Sequence, residues 1–151
     1  MKLKKIIILI SLISLSSCAS IYMKGSGRSA ELVVDALNRG ETQLPESLSV
    51  VPFVFDGEII VSRTSVSRIW NGFVDVGFTV TNPVITSISP IILEDYNLFR
   101  NSWEMETFFK NKIPKYAYKI SVDGISGELL LLFYRQKNSD YSLFGMKADA
   151  K

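Results

Sequence analysis

Residues 128–135, Glu-Leu-Leu-Leu-Leu-Phe-Tyr-Arg, constrain the fold of this chain more than any other segment. Successive side chains of a strand point to opposite faces of its sheet. Leu129, Leu131 and Phe133 therefore take one face, and Leu130, Leu132 and Tyr134 take the other. A strand that is apolar on both faces must be covered on both. A hairpin lying on one layer does not satisfy it. With a single cysteine in 151 residues, no disulfide can form within the chain, so packing must supply the stability.

The neighbouring segments supply the layers. Ser29 is placed to cap a helix whose face is Leu32, Val33, Ala36 and Leu37, with Gly40 as its stop. Pro45 to Pro52 reads as a connection containing at most a short helical turn. Phe53-Val54-Phe55 leads into the turn pair Asp56-Gly57 and a short strand, Glu58 to Val61. Val66, Ile69, Trp70 and Phe73 recur at helical spacing behind Ser62, Thr64 or Ser65 as cap, with Gly72 near the helix end. Val74, Val76, Phe78 and Val80 alternate with polar or small residues and predict a half-buried strand ending at Asn82-Pro83. Val84 to Leu93 is β-prone until Pro90. Asn101 or Ser102 opens a further helix with Met105, Phe108, Phe109 and Ile113 on its apolar side and Pro114 as its end. Strands over 116–122, 128–135 and 141–147 form the C-terminal third.

The first eighteen residues obey different rules. Lys2, Lys4 and Lys5 precede an apolar run, Ile6 to Leu15, broken only by Ser11 and Ser14. The run is shorter than the ~20 apolar residues a spanning helix needs. Leu15-Ser16-Ser17-Cys18 resembles a bacterial lipoprotein box. The resemblance implies diacylglycerol on the Cys18 thiol and cleavage before it. Ala19 is not the aspartate that resembles an inner-membrane retention signal, so the expected address is the outer membrane. The expected organisation is a signal peptide over 1–17, a lipidated cysteine with flexible tether over 18–28, and one domain over 29–151. The signal holds three of the 17 Lys+Arg and no acid, leaving 14 against 15, about −1. No basic run remains to suggest nucleic acid, or anionic lipid beyond the anchor.

Two stretches carry a further resemblance: Val51-Pro52-Phe53-Val54-Phe55-Asp56-Gly57-Glu58-Ile59-Ile60 with the Trp70 helix after it, and the hairpin from Leu129 to Lys147. They look like the nuclear-transport-factor-2-like (cystatin-like cone) fold. That resemblance implies an α+β domain in which a curved antiparallel sheet wraps round about three helices and leaves a conical interior. Such an interior can be filled core, ligand pocket or active site, and fold does not decide which. Phe53, Trp70, Phe73, Phe108 and Phe133 are the candidate lining, with Phe109 and Phe144 as further aromatics; such spacing also suits plain core. The Leu130, Leu132 and Tyr134 face is open either to a helix or to a second subunit, and the resemblance implies dimers through that face.

The chain has no histidine, which removes Ser-His-Asp and Cys-His chemistry and histidine-ligated zinc. An enzyme of this fold would need a carboxylate in an apolar pocket. The candidates are Asp56, Asp75 and Asp95, helped by Arg68, Arg100 or Tyr118. Asp56 suits a turn, Asp75 a solvent-facing position and Asp95 a polar connection. The sequence therefore assigns no catalytic residue, and no metal or cofactor is expected. The leading expectation is a non-catalytic envelope lipoprotein domain that binds a small apolar ligand or an envelope protein. The alternatives are a small isomerase- or hydrolase-type enzyme and a structural or assembly factor.

Overall fold

The computed structural model describes residues 23–138 and 140–150. The lipidation candidate Cys18 and the proposed signal peptide lie outside them. Residues 23–38 form helix α1, followed by α2 (Gln43–Leu48), β1 (Ser49–Phe55), β2 (Glu58–Ile60) and α3 (Arg63–Asp75). Then come β3 (Val84–Pro90), a 3₁₀ turn (Leu93–Leu98), α4 (Trp103–Lys112), β4 (Ala117–Asp123), β5 (Gly127–Arg135) and β6 (Tyr141–Ala150). The six strands make one sheet in the order β2-β1-β6-β5-β4-β3. The expected antiparallel sheet is corrected in one respect: β1 runs parallel to β6, so the sheet is mixed.

β5 lies inside the sheet, and both of its faces are covered. Leu129, Leu131 and Phe133 join one core with Ala30, Val33, Val34 and Leu37 of α1 and Val66 and Trp70 of α3. Leu132 joins a second core with Val54, Phe144 and Met105, Phe108 and Phe109 of α4, against which Tyr134 packs. We call these the inner and outer faces. Helix α4 packs over Leu132 and Tyr134, while Leu130 stays half-buried.

Four local expectations need correction. Residues 23–28, read as part of a flexible tether, are helical. Their glycines are sites of close approach: a Cβ on Gly25 would strike the Tyr141 ring, and one on Gly27 would strike Ile88. Ser26 is fully buried, and its hydroxyl donates to the Met23 carbonyl at 2.9 Å. Ser29 is therefore inside the helix rather than its cap, and donates back to the Gly25 carbonyl at 3.1 Å.

The strand expected over Val74–Val80 is absent. α3 runs on to Asp75, and Gly77, at φ +66°, ends it. The Gly77 N–H donates to the Val74 carbonyl at 2.9 Å and the Phe78 N–H to the Phe73 carbonyl at 2.8 Å, the paired bonds of a left-handed helix stop. Beyond it, backbone groups are satisfied by side chains instead of a strand. The Val80 N–H donates to Asn38 Oδ1 at 2.8 Å, and Asn38 Nδ2 donates to the Val80 carbonyl at 3.0 Å.

The third and fourth corrections concern connections. β1 begins at Ser49 and carries Pro52 within it, where a connection was expected. Its register against β6 shifts between Ser49 and Val54, an irregularity at which a residue without an N–H is tolerated. Asp95, expected in a polar connection, lies in the 3₁₀ turn of Leu93–Leu98. The caps of the two clearest helices are settled. The Ser62 hydroxyl accepts from the Ser65 N–H at 3.4 Å, and the Ser102 hydroxyl accepts from the Met105 N–H at 3.3 Å.

Candidate functional site

The five candidate lining residues divide. Phe53, Trp70 and Phe133 are fully buried in the inner core, and Phe108 is nearly so in the outer one. Trp70 is held twice over. It packs edge-on to Phe53 at 6.2 Å, and its indole Nε1–H donates to Ser49 Oγ at 2.9 Å, which donates in turn to the Pro45 carbonyl at 2.7 Å. Phe53, Trp70 and Phe133 pack together with α1 residues on the inner face of the sheet.

Phe73 is placed differently. It touches the core through Trp70 at 6.1 Å and Phe78 at 4.9 Å, and it also lines a surface groove of about 270 Å³. The groove is formed by Phe55, at the end of β1, by Arg68, Ile69, Gly72 and Phe73 from α3, and by its C-cap Val76. The spacing of those α3 residues puts them on one side of the helix. Phe55 meets Phe73 edge-on at 5.9 Å and closes one wall.

Gly72 marks the groove as more than leftover space. It has an ordinary helical backbone, and among the described residues a Cβ built on it meets nothing within 4 Å. A helical glycine costs roughly 0.5–1 kcal/mol relative to alanine. Among the described residues no neighbour requires the missing side chain, and its absence leaves the groove open. Sequence reasoning treated Gly72 only as a sign of the helix end, and no periodicity would have distinguished it. What the groove offers chemically is a shallow apolar surface, with Arg68 among the residues that line it.

The carboxylates do not converge. Asp56 is exposed in the β1–β2 turn, at φ +44°. Asp75 is exposed as the last residue of α3. Asp95 is buried at 6% exposure, against the expectation of a polar connection. One of its oxygens forms an ion pair with Lys119, and the other accepts the Ile92 N–H at 2.9 Å. Lys119 alternates with Ile120 and so projects to the outer face, on the far side of the sheet from the groove. Both Asp95 oxygens are thus engaged in holding the 3₁₀ turn onto β4. Of the proposed helpers, Arg68 lines the groove, Arg100 lies against Gly57, and Tyr118 is buried on β4.

The displaced carboxyls lie elsewhere. Glu41 is held below the usual range by the Arg39 guanidinium, which donates to both of its oxygens at 3.0 Å. Glu104 is lowered by its own backbone N–H and by the Ser102 hydroxyl at the start of α4. Both are exposed on the surface. Among the described residues no helix is long and apolar enough to cross a membrane, and no three potential metal-ligating groups cluster. No family model matches the chain, and no curated protein matches it.

Proposed function

We propose that this chain is an envelope lipoprotein, anchored through Cys18 to the outer membrane, whose domain binds an apolar group of an envelope partner or ligand without converting it. The observation that carries the binding reading is the contrast between a filled interior and an open, glycine-floored groove. Phe53, Trp70 and Phe133 leave the inner face to packing, so recognition falls to the surface, where Phe55, Ile69, Phe73 and Val76 present apolar area around Gly72. Arg68 in the lining favours a ligand with an anionic group next to its apolar one.

The cone-type fold belongs to the same proposal. It is supported by α1 and α3 sharing one core with the same face of β4, β5 and β6. The enzymatic alternative has one specific observation on its side, the burial of Asp95. That carboxylate already has an ion pair and a backbone donor, and its outer-face position separates it from the groove.

The test uses Gly72→Leu. Open space around the Cβ lets the larger side chain fill the groove without displacing core atoms. Anilinonaphthalene sulfonate, an apolar anion, serves as the probe. Its binding should be lost in Gly72→Leu while the thermal transition is kept, and weakened in Arg68→Gln. Unchanged binding in Gly72→Leu would remove the groove from consideration.

A further inference from the structure

The described chain begins at one particular end of the domain, and that end carries its own charge. The turn of helix α1 that holds Gly25 and Gly27 lies beside Tyr141 and Ile88. Tyr141 is the first residue of β6 and pairs with Arg135, the last of β5. Pro90, the last of β3, pairs with Tyr118 near the start of β4. That turn of α1 therefore lies at the sheet end from which Ile91–Leu93 depart and into which Pro114–Tyr116 arrive. Cys18 is five residues from Met23, a span of at most ~17 Å. A lipid on Cys18 would hold this end, and no other, close to a bilayer.

Lys24, Lys110, Lys112, Lys115 and Lys137 are exposed at this end, against Glu94 and Asp140. The buried Asp95 charge is cancelled by Lys119. Between the lysines a depression of about 320 Å³ is walled by Ile91, Ile92, Leu93, Phe109 and Ile113 and rimmed by Lys110 and Lys115. Ile92 is 55% exposed and Tyr116 54%. The opposite end has exposed apolar side chains too, Val76 and Ile125 among them, so apolarity does not separate the two. Charge does. Asp75, Asp123, Glu128 and Asp149 gather there, where the last turn of α3, the β4–β5 turn and the end of β6 lie, in excess over Lys147, which pairs with Asp149 at 3.5 Å.

We propose that the basic end is a docking surface for an anionic lipid bilayer. Lys110, Lys112 and Lys115 meet lipid phosphates, and Ile92, Leu93 and Tyr116 enter the headgroup layer. The inference rests on the reading of Cys18 as the anchor and adds an orientation to it. A short tether keeps this surface at high effective concentration over the lipid. Each lysine near an anionic leaflet contributes roughly fivefold to partition, and the acidic end is repelled. The domain thus stands with its carboxylates and the Phe55–Val76 groove end directed away from the lipid.

The experiment takes the mature, acylated protein in vesicles. Cys18 is the chain's only cysteine and its thiol is consumed by the lipid, so Ile92→Cys and Ile125→Cys each introduce one reactive thiol. A polarity-sensitive fluorophore on each site is read in phosphatidylcholine vesicles with and without phosphatidylglycerol. The label at 92 should shift to the blue and be quenched by lipid-borne quencher when phosphatidylglycerol is present, and the label at 125 should not. Replacing Lys110, Lys112 and Lys115 together by Gln should cut the docked fraction about tenfold or more. Salt at ~1 M, where the Debye length is ~3 Å, should do the same. Equal signals at the two sites on anchored protein would overturn the inference. So would shielding of site 92 in native envelope membranes but not in lipid vesicles, which would assign the surface to a protein partner. A protein that incorporates no acyl label and stays out of the vesicles overturns the anchor reading instead.

Discussion

Gly72→Ala should make the protein more stable, an outcome rare for a point substitution. Gly72 sits four residues before the cap of α3 with helical dihedrals, and its carbonyl accepts the Val76 N–H at 3.1 Å. Alanine keeps that bond and removes conformational freedom from the unfolded chain, a gain of ~0.5–1 kcal/mol at a compatible site. The usual penalty, a clash, is missing because among the described residues nothing lies within 4 Å of the new Cβ. For a domain of this size each kcal/mol moves the melting temperature by about 3–6 °C. Calorimetry or thermal circular dichroism of the wild type, Gly72→Ala and Gly72→Leu provides the readout. The two variants should melt at or above the wild type while probe binding falls from wild type to Ala to Leu. A melting temperature lowered in Gly72→Ala would refute the reasoning. It would mean that the helix end relies on a backbone that only glycine supplies, and that the groove is a by-product of that demand.

Other expectations follow from the core and the anchor. Trp70→Ala should cost ~3–5 kcal/mol in denaturant unfolding, because the ring is fully buried. In a double-mutant cycle with Ser49→Ala, Trp70→Phe should show ~0.5–1.5 kcal/mol of coupling from the lost indole bond; independent effects would deny that bond any energetic weight. Gly145→Ala should destabilise by ~1–3 kcal/mol, since its Cβ would lie 2.9 Å from Leu132 Cδ1 and 3.1 Å from Val54 Cβ between β1 and β5; an unchanged midpoint in urea would show that the sheet yields there. Cys18→Ala should leave an unprocessed precursor without acyl label, and normal processing of that mutant would sink the lipoprotein reading.

Much of the fold is legible locally. The two-faced β5 demanded a sandwiched sheet, and α1 and α3 on one side and α4 on the other meet that demand. The α3 stripe, the Ser102 cap and the Gly40 stop are also local statements, written in spacing and in cap chemistry. The candidate site is less legible. Phe53, Trp70 and Phe133 carry the same aromatic signal as Phe73, and only their depth in the fold separates core from groove. Val74 to Val80 shows strand alternation, but a helix stop at Gly77 and the side chain of Asn38 claim its backbone. Lys24-Gly25-Ser26-Gly27 has the composition of a linker, and packing against Tyr141 and Ile88 turns it into helix.

Charge gives the sharpest division. Read along the chain, residues 18–151 are near neutral and contain no basic run, and by itself that sequence predicts no affinity for an anionic surface. The fold brings Lys24 to the same end as Lys110, Lys112 and Lys115, across some ninety positions of chain, and sends Asp75, Asp123 and Asp149 to the other. The sequence determines which side chains are apolar and at what period, because those patterns lie within one helix or strand. Tertiary structure decides which charges become neighbours, because electrostatic attraction depends on distance through space and solvent, not along the chain.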